Sequence, residues 1–394
     1  MRLAVVSPFV DRRHGTERAL AELLERLAGE YGYEIHLYAQ RVEDLPVADA
    51  KSARSSNSGA IFWHKVPSIR GPQLLQFSSW FLLNKIWRFR DRRIRGLRCE
   101  LLFSPGINCL DAKVILVHAV FHRLAEMSEP PRGGGLRNLH RRSYYWILST
   151  LERKIYSNER IALAAVSNHS ARQLQQYFGR RDVPIIPNGV DTKIFNAAAR
   201  AARRDAARQR WHLSTNECVL LLIGNDWKTK GLPVLLQAAA ECRELPLRLL
   251  LVGKEDPSEW TGRISRLELA NRVSFLAPAA DVLDFYAAAD VYVAPSLEDS
   301  FNLPALEAMA CSLPVVVSAS AGISEWIQDG VNGLVLKDPL DDGELAASLR
   351  KLASSPEARR RMGENADRTA ATLSWDRHAE AVHDLLVRSL APQA

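Results

Sequence analysis

The chain has 394 residues, 47% hydrophobic and 25% charged, and its 52 Lys and Arg against 45 Asp and Glu leave a net charge of +7. That length exceeds what one core usually serves, so two domains are expected, and the positive excess favours anionic partners such as nucleotides, nucleic acid or a membrane surface. The five cysteines (Cys99, Cys109, Cys218, Cys242 and Cys311) are scattered without paired spacing, so neither a disulfide framework nor a zinc site is indicated.

The first apolar stretch, Leu3 to Val10, is broken by Pro8 and ended by Asp11, too short for a signal peptide. No run approaches the ~18 apolar residues of a spanning helix, so a cytoplasmic chain with at most peripheral membrane contact is expected. Short β-branched or Leu-rich runs then alternate with helical patterns, the signature of α/β architecture with parallel sheets. In the first half the strand candidates are Leu3 to Ser7, Glu34 to Ala39, Val114 to Ala119 and Ala162 to Ser167, with helices starting near Glu17 and Asn168. Pro187, Asn188 and Gly189 enforce a turn, and the Ala- and Arg-rich "NAAARAARRDAARQRW" that follows reads as a polar helix or spacer. The second half offers Cys218 to Gly224, Leu247 to Gly253, Val273 to Pro278, Val291 to Pro295 and Pro314 to Ala319, each followed by a helix-compatible segment. The expected fold is thus two Rossmann-like, doubly wound domains, residues 1–187 and 188–374, facing across a cleft, with ligands beyond the C-terminal ends of the strands.

Three loops invite a functional reading. "IGNDWKTKG" (Ile223 to Gly231) leaves a strand, passes Lys228 and Lys230 and enters a helix at Gly231. Amides at such a helix start, with a lysine, suit a phosphate, although an ordinary loop with solvated lysines reads the same way. No Walker A pattern and no G-x-G-x-x-G after the first strand is present, which weakens the NTPase and dehydrogenase readings. In "DRRHGTER" (Asp11 to Arg18), Gly15 either lets backbone approach a ligand or simply turns into a helix. "VHAVFH" sets His118 and His122 at a strand end, where a histidine is either packed or faces the site.

The sequence "SLEDSFNLPALEAMACSLPVVVSAS" (Ser296 to Ser320) places Glu307 inside an apolar run, where a carboxylate is costly to desolvate. Pro304 fits the first turn of a helix. Glu307, about one turn in, either complements the helix dipole or accepts paired hydrogen bonds from vicinal hydroxyls, each worth roughly 1.5 to 3 kcal/mol.

These residues carry a resemblance. "DSFNLPALEAMACSLPVVVS" resembles the E-x7-E region of the family-four glycosyltransferases of the GT-B fold, usually close to "EGFGLPxLEAMACGxPVV". "AVSNHSARQLQQYF", "IIPNGVDTKIF", the Lys230-Gly231 pair and "AGISEWIQDGVNGLVL" (Ala321 to Leu336) match that family in order and spacing, and "LSWDRHAEAV" is similar to its final helix, about 375–394, which packs back on the first domain. The resemblance spans nearly the whole chain. The "GNDWKTKG" loop is more similar to the lipopolysaccharide-core branch than to the sucrose enzymes.

The resemblance implies a retaining, metal-independent transfer of a sugar from a nucleotide diphosphate sugar, UDP-sugar first, to a saccharide or lipid-linked glycan in cell-envelope synthesis. It implies no cofactor, an acceptor-binding first domain and a donor-binding second one. Glu307 would hold the ribose hydroxyls. Asp299, at the first Glu position, would contact the donor sugar. The amides around Leu303, Pro304 and Ala305 would meet that sugar and the phosphate. Lys230 would neutralise the diphosphate leaving group. Gly15 would lie behind the diphosphate, and His118 near the reacting carbon. Three positions depart from the pattern: Asp299 is a methylene shorter than Glu, with Glu298 beside it; Asn225 replaces a phosphate-binding Arg, leaving Lys228 to supply a second charge; His14 replaces the first glycine of the pair.

Gln73 to Arg98 interleaves Phe77, Trp80, Phe81, Trp87 and Phe89 with a basic tail holding seven Lys or Arg and one Asp between Lys85 and Arg98. It reads as a peripheral contact with an anionic bilayer, a site for a phosphorylated acceptor, or a core helix with a solvated edge. Two other functions fit parts of the sequence, a basic nucleic-acid binder and a GT-B sugar-nucleotide epimerase. The first gives no reason for the Asp299 and Glu307 pairing, so no nucleic-acid partner is expected.

Overall fold

The computed structural model describes residues 1–49, 59–127, 136–279 and 281–390. The chain divides into two compact units, Met1–Pro187 with Trp375–Ala394, and Asn188–Ser374. Unit 1 contains the strands β1 (Arg2–Val6), β2 (Phe9–Val10), β3 (Glu34–Ala39), β4 (Arg41–Val42), β5 (Ala48–Asp49), β6 (Ile61–Lys65), β7 (Leu101–Ser104), β8 (Val114–Val117) and β9 (Ala162–Ala165). Its helices are α1 (Gly15–Gly29), α2 (Gln73–Ile94), α3 (Phe121–Met127), α4 (Leu136–Tyr156) and α5 (Asn168–Phe178). Seven strands form one sheet in the order β5-β6-β3-β1-β7-β8-β9, with every pairing parallel, while β2 and β4 pair separately.

Helices cover both faces of such a sheet, which is why β1, β3 and β8 read as continuous apolar runs in the sequence. β6 (IFWHK) and β7 (LLFS) are absent from the sequence reading because one carries His64 and Lys65 and the other has four residues. The buried polar groups of β6 are matched across the sheet. Arg2 donates to Glu34 at 2.8 and 3.0 Å, the His36 ring meets Glu34 at 2.9 Å and His64 at 2.9 Å, and His64 meets Asp91 of α2 at 2.6 Å. This string ties β1, β3, β6 and α2 together, and burial pushes the His36 imidazole down to about 4.

The helix after unit 2 returns to unit 1. Arg26 of α1 donates to Asp376 at 2.7 Å, Tyr33 bonds His383 at 2.7 Å, and His378 donates through Nδ1 to the Pro187 carbonyl at 2.8 Å. The final helix covers Trp375–Arg388, and residues 391–394 of its expected span lie outside the described residues.

Unit 2 has β10 (Cys218–Ile223), β11 (Leu247–Val252), β12 (Val273–Leu276), β13 (Val291–Ala294), β14 (Val315–Ser318) and β15 (Leu334–Leu336), all parallel in the order β12-β11-β10-β13-β14-β15. Its helices are α6 (Ala197–Arg210), α7 (Leu232–Glu241), α8 (Ser258–Arg266), α9 (Leu283–Ala288), α10 (Leu303–Ala310), α11 (Asp342–Ala353) and α12 (Pro356–Ala370); unit 1 ends with α13 (Trp375–Arg388). The Ala- and Arg-rich stretch is α6, and it is a docked helix rather than a spacer. Arg200, Arg204 and Arg208 share one face at four-residue spacing. They donate to the carbonyls of Tyr286, Ala287, Ala288 and Ala289 at the end of α9, and Arg204 and Arg208 also reach the Asp290 carboxylate at 2.6 and 3.1 Å. Burial alone would raise the Asp290 carboxyl, but the guanidinium charges hold it below the ordinary carboxylate range.

Each sheet reverses direction once. In unit 1 the chain runs outward from β1 through β3 to the short edge strand β5, inserts β6 between β3 and β5, and restarts at β7 on the other side of β1; in unit 2 it runs from β10 to β12 and restarts at β13. The loops that leave β10 and β13 therefore diverge beside one another at a topological switch point.

Acid should attack the two units unequally. Nine of the ten histidines lie in unit 1. Burial pushes His36 and His378 down to about 4 and His118 to about 3. Their unfolded counterparts titrate near 6.5, so the unfolded chain binds more protons below that pH. Stability is then intact above pH ~6.5 and falls progressively toward pH ~4, on the order of 3 kcal/mol for each of the two rings with almost no exposed surface, His36 and His378. Hydrogen exchange at pH 7 and pH 4.5 is expected to show protection lost first in β3, β6 and α13; equal losses in unit 2 would contradict this.

Candidate functional site

The site is built from the loops at the C-terminal edge of the unit 2 sheet. β10 ends at Ile223, and the chain passes Gly224 to Gly231 before α7. Gly231 caps α7 at φ 84, and a Cβ there would sit 2.0 Å from the Pro295 carbonyl oxygen, so only glycine lets this loop lie against the one after β13. Gly253, after β11, is equally constrained, since a Cβ would lie 2.1 Å from the Gly224 oxygen. Backbone bonds stitch the loops together: Leu297 N–H to Thr229 O at 2.8 Å, Asp299 N–H to Ser320 O at 3.1 Å and Gly322 N–H to Asp299 O at 2.9 Å.

This stitching sets two charges face to face. Lys230 Nζ donates to Asp299 Oδ2 at 2.5 Å, the two side chains being 24% and 11% exposed. One comes from the β10–α7 loop and the other from the β13–α10 loop, so the ion pair spans the switch point. Lys228 and Asn225 are exposed on the same loop, and Asn225 accepts from the Lys254 amide at 3.2 Å. The loop is braced from behind by Trp227, which is buried and whose amide donates to Glu255 at 2.7 Å.

α10 begins at Leu303 with Pro304 in its first turn, as the sequence predicts. Its N-cap, Asn302, holds a left-handed backbone (φ 77, ψ 70). Asn302 Oδ1 accepts from the Ala305 amide at 3.1 Å and from the Tyr292 hydroxyl at 3.0 Å. Of the three positions expected to present backbone donors, Pro304 has none and the Ala305 amide is engaged by this cap, which leaves Leu303. Glu307 is 3% exposed and accepts from the Tyr286 hydroxyl at 2.5 Å. It is therefore a buried, oriented carboxylate and not a solvated acid at a helix end. Tyr286, Tyr292 and Asn302 escaped the sequence reading; a glycine in the resembling pattern at the Asn302 position was the signal for a left-handed residue there.

The remaining candidates belong to unit 1. Gly15 opens α1 behind a loop organised by the buried Asp11, whose carboxylate accepts from the Arg13 and His14 amides at 2.8 and 3.0 Å and meets His14 Nδ1 at 2.9 Å. His118 follows β8, where desolvation pushes its imidazole down to about 3, so the ring is uncharged at neutral pH. His122, expected beside it at the strand end, lies inside α3, its ring and amide both bonded to the buried Glu152 at 2.8 and 2.9 Å. That histidine fixes a helix start.

Against known proteins, the model Glycosyltransferase Family 4 matches residues 13–194 and Glycosyl transferases group 1 matches residues 203–369. D-inositol 3-phosphate glycosyltransferase from Nocardiopsis dassonvillei is 33% identical over 248 residues, covering 59% of this chain and 57% of that protein. The chain thus matches a little over half the length of such curated relatives. The crystal structure of WaaG, a glycosyltransferase involved in lipopolysaccharide biosynthesis, superposes with a TM-score of 0.77 at 20% identity, covering 97% of this chain and 98% of that one. HepE from Anabaena, crystallised with UDP-glucose, gives 0.71 at 19% identity, covering 98% and 100%. With one family model on each unit and the same two-sheet architecture in solved members, this chain belongs to the family 4, or group 1, glycosyltransferases and has their GT-B fold.

Proposed function

We propose that the chain transfers a sugar from a nucleotide diphosphate sugar, UDP-sugar first, to a saccharide or lipid-linked glycan acceptor, with retention of anomeric configuration and without a metal ion. The observation that carries this reading is the Lys230–Asp299 pair astride the unit 2 switch point, the place where doubly wound sheets receive phosphorylated ligands. The diphosphate draws Lys230 away from Asp299, and the fixed ammonium then meets the charge that develops on the leaving phosphate. Asp299, released, accepts from a donor-sugar hydroxyl. Glu307, held by Tyr286, accepts from the ribose hydroxyls, and neutral His118 donates or accepts one bond beside the sugar. Gly15, Asn225 and Lys228 serve the diphosphate, together with the Leu303 amide.

The UDP-glucose complex of HepE supports the choice of donor. The name of the sequence relatives makes a phosphorylated inositol the first acceptor to assay, and the lipopolysaccharide role of WaaG supports a cell-envelope saccharide as the second. The acceptor side is supported by α2. Leu75, Leu82, Ile86, Phe89 and Ile94 are exposed along it, and it ends in Arg92, Arg93 and Arg95, which suits a lipid-linked acceptor met at an anionic, cytoplasmic membrane face. Among the described residues no helix is long and apolar enough to cross a membrane.

Three measurements test this. Lys230→Ala is expected to lower turnover about 10²- to 10³-fold at saturating donor and acceptor, in an assay unaffected by chelator, and wild-type turnover would remove the assignment. Glu307→Gln keeps an acceptor for Tyr286 but loses the charge, so donor affinity should fall roughly 10- to 100-fold with the thermal midpoint of the free protein little changed. In flotation at low ionic strength the chain should rise with vesicles containing anionic lipid and be released by ~0.5 M salt; absence from the vesicle layer at low salt would refute the membrane contact.

A further inference from the structure

α2 and α4 of unit 1 enclose a cavity of about 330 Å³. Its walls are Phe77, Phe81 and Leu82 of α2, Leu110 of the loop before β8, and Ile147 and Leu151 of α4, with Phe77 meeting Tyr144 edge-on at 6.3 Å to hold the two helices. Three charged residues also line it: Lys85, Arg88 and Asp111. Arg88 grips Asp111 through two bonds of 2.6 and 2.9 Å, which cancels one charge of each sign. Lys85 has no ion-pair partner among the described residues, and the buried Nε of Arg88 has no acceptor. The cavity therefore combines apolar walls with one surplus cation, Lys85. Such a set favours a ligand whose body is apolar and whose end is an anion bearing acceptor oxygens.

The surface beside the cavity points to the shape of that body. Leu75, Leu82, Ile86 and Phe89 are exposed and fall on one line of α2 at spacings of seven, four and three residues. Leu82 belongs both to this line and to the cavity wall. An apolar track thus runs from the helix surface inward, which matches an extended hydrocarbon chain better than a compact headgroup. We infer that this cavity is a binding site for one chain of a long-chain anionic lipid, its acidic head held by Lys85. Occupancy brings the chain of a membrane lipid into unit 1, a contact beyond the surface adsorption of α2 and independent of the sugar-transfer reading.

The test uses the full chain and three twelve-carbon amphiphiles below their micelle concentrations: dodecyl phosphate, dodecyl maltoside and dodecyltrimethylammonium. Calorimetry, with tryptophan emission as a second readout, should show saturable one-site binding of dodecyl phosphate at least tenfold tighter than of the other two. Ser78 and Lys85 are exposed on α2, so substitutions there leave the fold intact. Lys85→Glu should erase the preference for phosphate, and Ser78→Trp, which plugs the mouth, should abolish binding of all three. No saturable binding, equal affinity for the three heads, or a Ser78→Trp variant that binds as wild type would overturn the inference. UDP-sugar affinity measured on the same samples shows separately whether the donor reading stands.

Discussion

The Lys230–Asp299 ion pair is the constraint around which unit 2 is arranged. An exposed pair of this kind is worth little, about 0 to 1 kcal/mol, because water screens it. Here the carboxylate is 11% exposed, and the lysine stem lies across Gly224, where an added Cβ would come within 2.8 Å of its Cγ. Three close approaches, at Gly224, Gly231 and Gly253, exist so that two charges from loops far apart in sequence meet above the sheet's reversal. A lysine standing alone in that place would repel its own helix start and lose hydration. Neutralised by Asp299, it is held in position by the fold itself.

The second carboxylate solves a different problem. Glu307 sits one turn into α10, among Leu306, Ala308 and Met309, with almost no contact with water. Its burial is tolerable because Tyr286, at 0% exposure on the neighbouring α9, donates to it. The placement of α9 depends in turn on α6, whose arginines bind the α9 carbonyls and Asp290. The chain from Arg208 to Asp290 to α9 to Tyr286 to Glu307 is thus one mechanical support, so the Ala- and Arg-rich segment that looks like a spacer sets the angle of this buried acid.

How much of this was legible in the sequence varies by element. The buried strands declared themselves as apolar runs, and β3, β10 and β11 fall within a residue of their expected limits, because parallel strands covered on both faces have no polar alternation to confuse them. β6 and β7 did not, since His64 is acceptable inside a sheet only through partners on β3 and α2, and long-range pairing leaves no local mark. Lys230, Asp299 and Glu307 were visible as residue types in a spaced pattern. What was invisible is that Lys230 and Asp299 touch, that Tyr286 holds Glu307, and that Asn302 occupies the helix start. Each depends on a contact between segments many residues apart. Asn302 and Ser312 have φ of 77 and 53, both at positions where the resembling pattern carries glycine, so the backbone keeps the glycine conformation while the side chain adds a function.

That addition has a consequence for the site. Asn302 Oδ1 is committed to the Ala305 amide, which can only donate, so the orientation of the carboxamide is fixed and its Nδ2 group faces away without an acceptor. Trp227 Nε1 and Ser296 Oγ are likewise buried without partners, on the loops that leave β10 and β13. A buried polar atom left unpaired costs about 1 to 3 kcal/mol. Other buried polar atoms without partners lie elsewhere, among them Arg248 Nε on β11, Trp260 Nε1 on α8, and Arg88 Nε and the Tyr156 hydroxyl in unit 1. Those on Trp227, Ser296 and Asn302 sit on the loops that leave β10 and β13, at the same edge of unit 2 as the ion pair, where a bound ligand could meet a polar group the fold leaves unpaired.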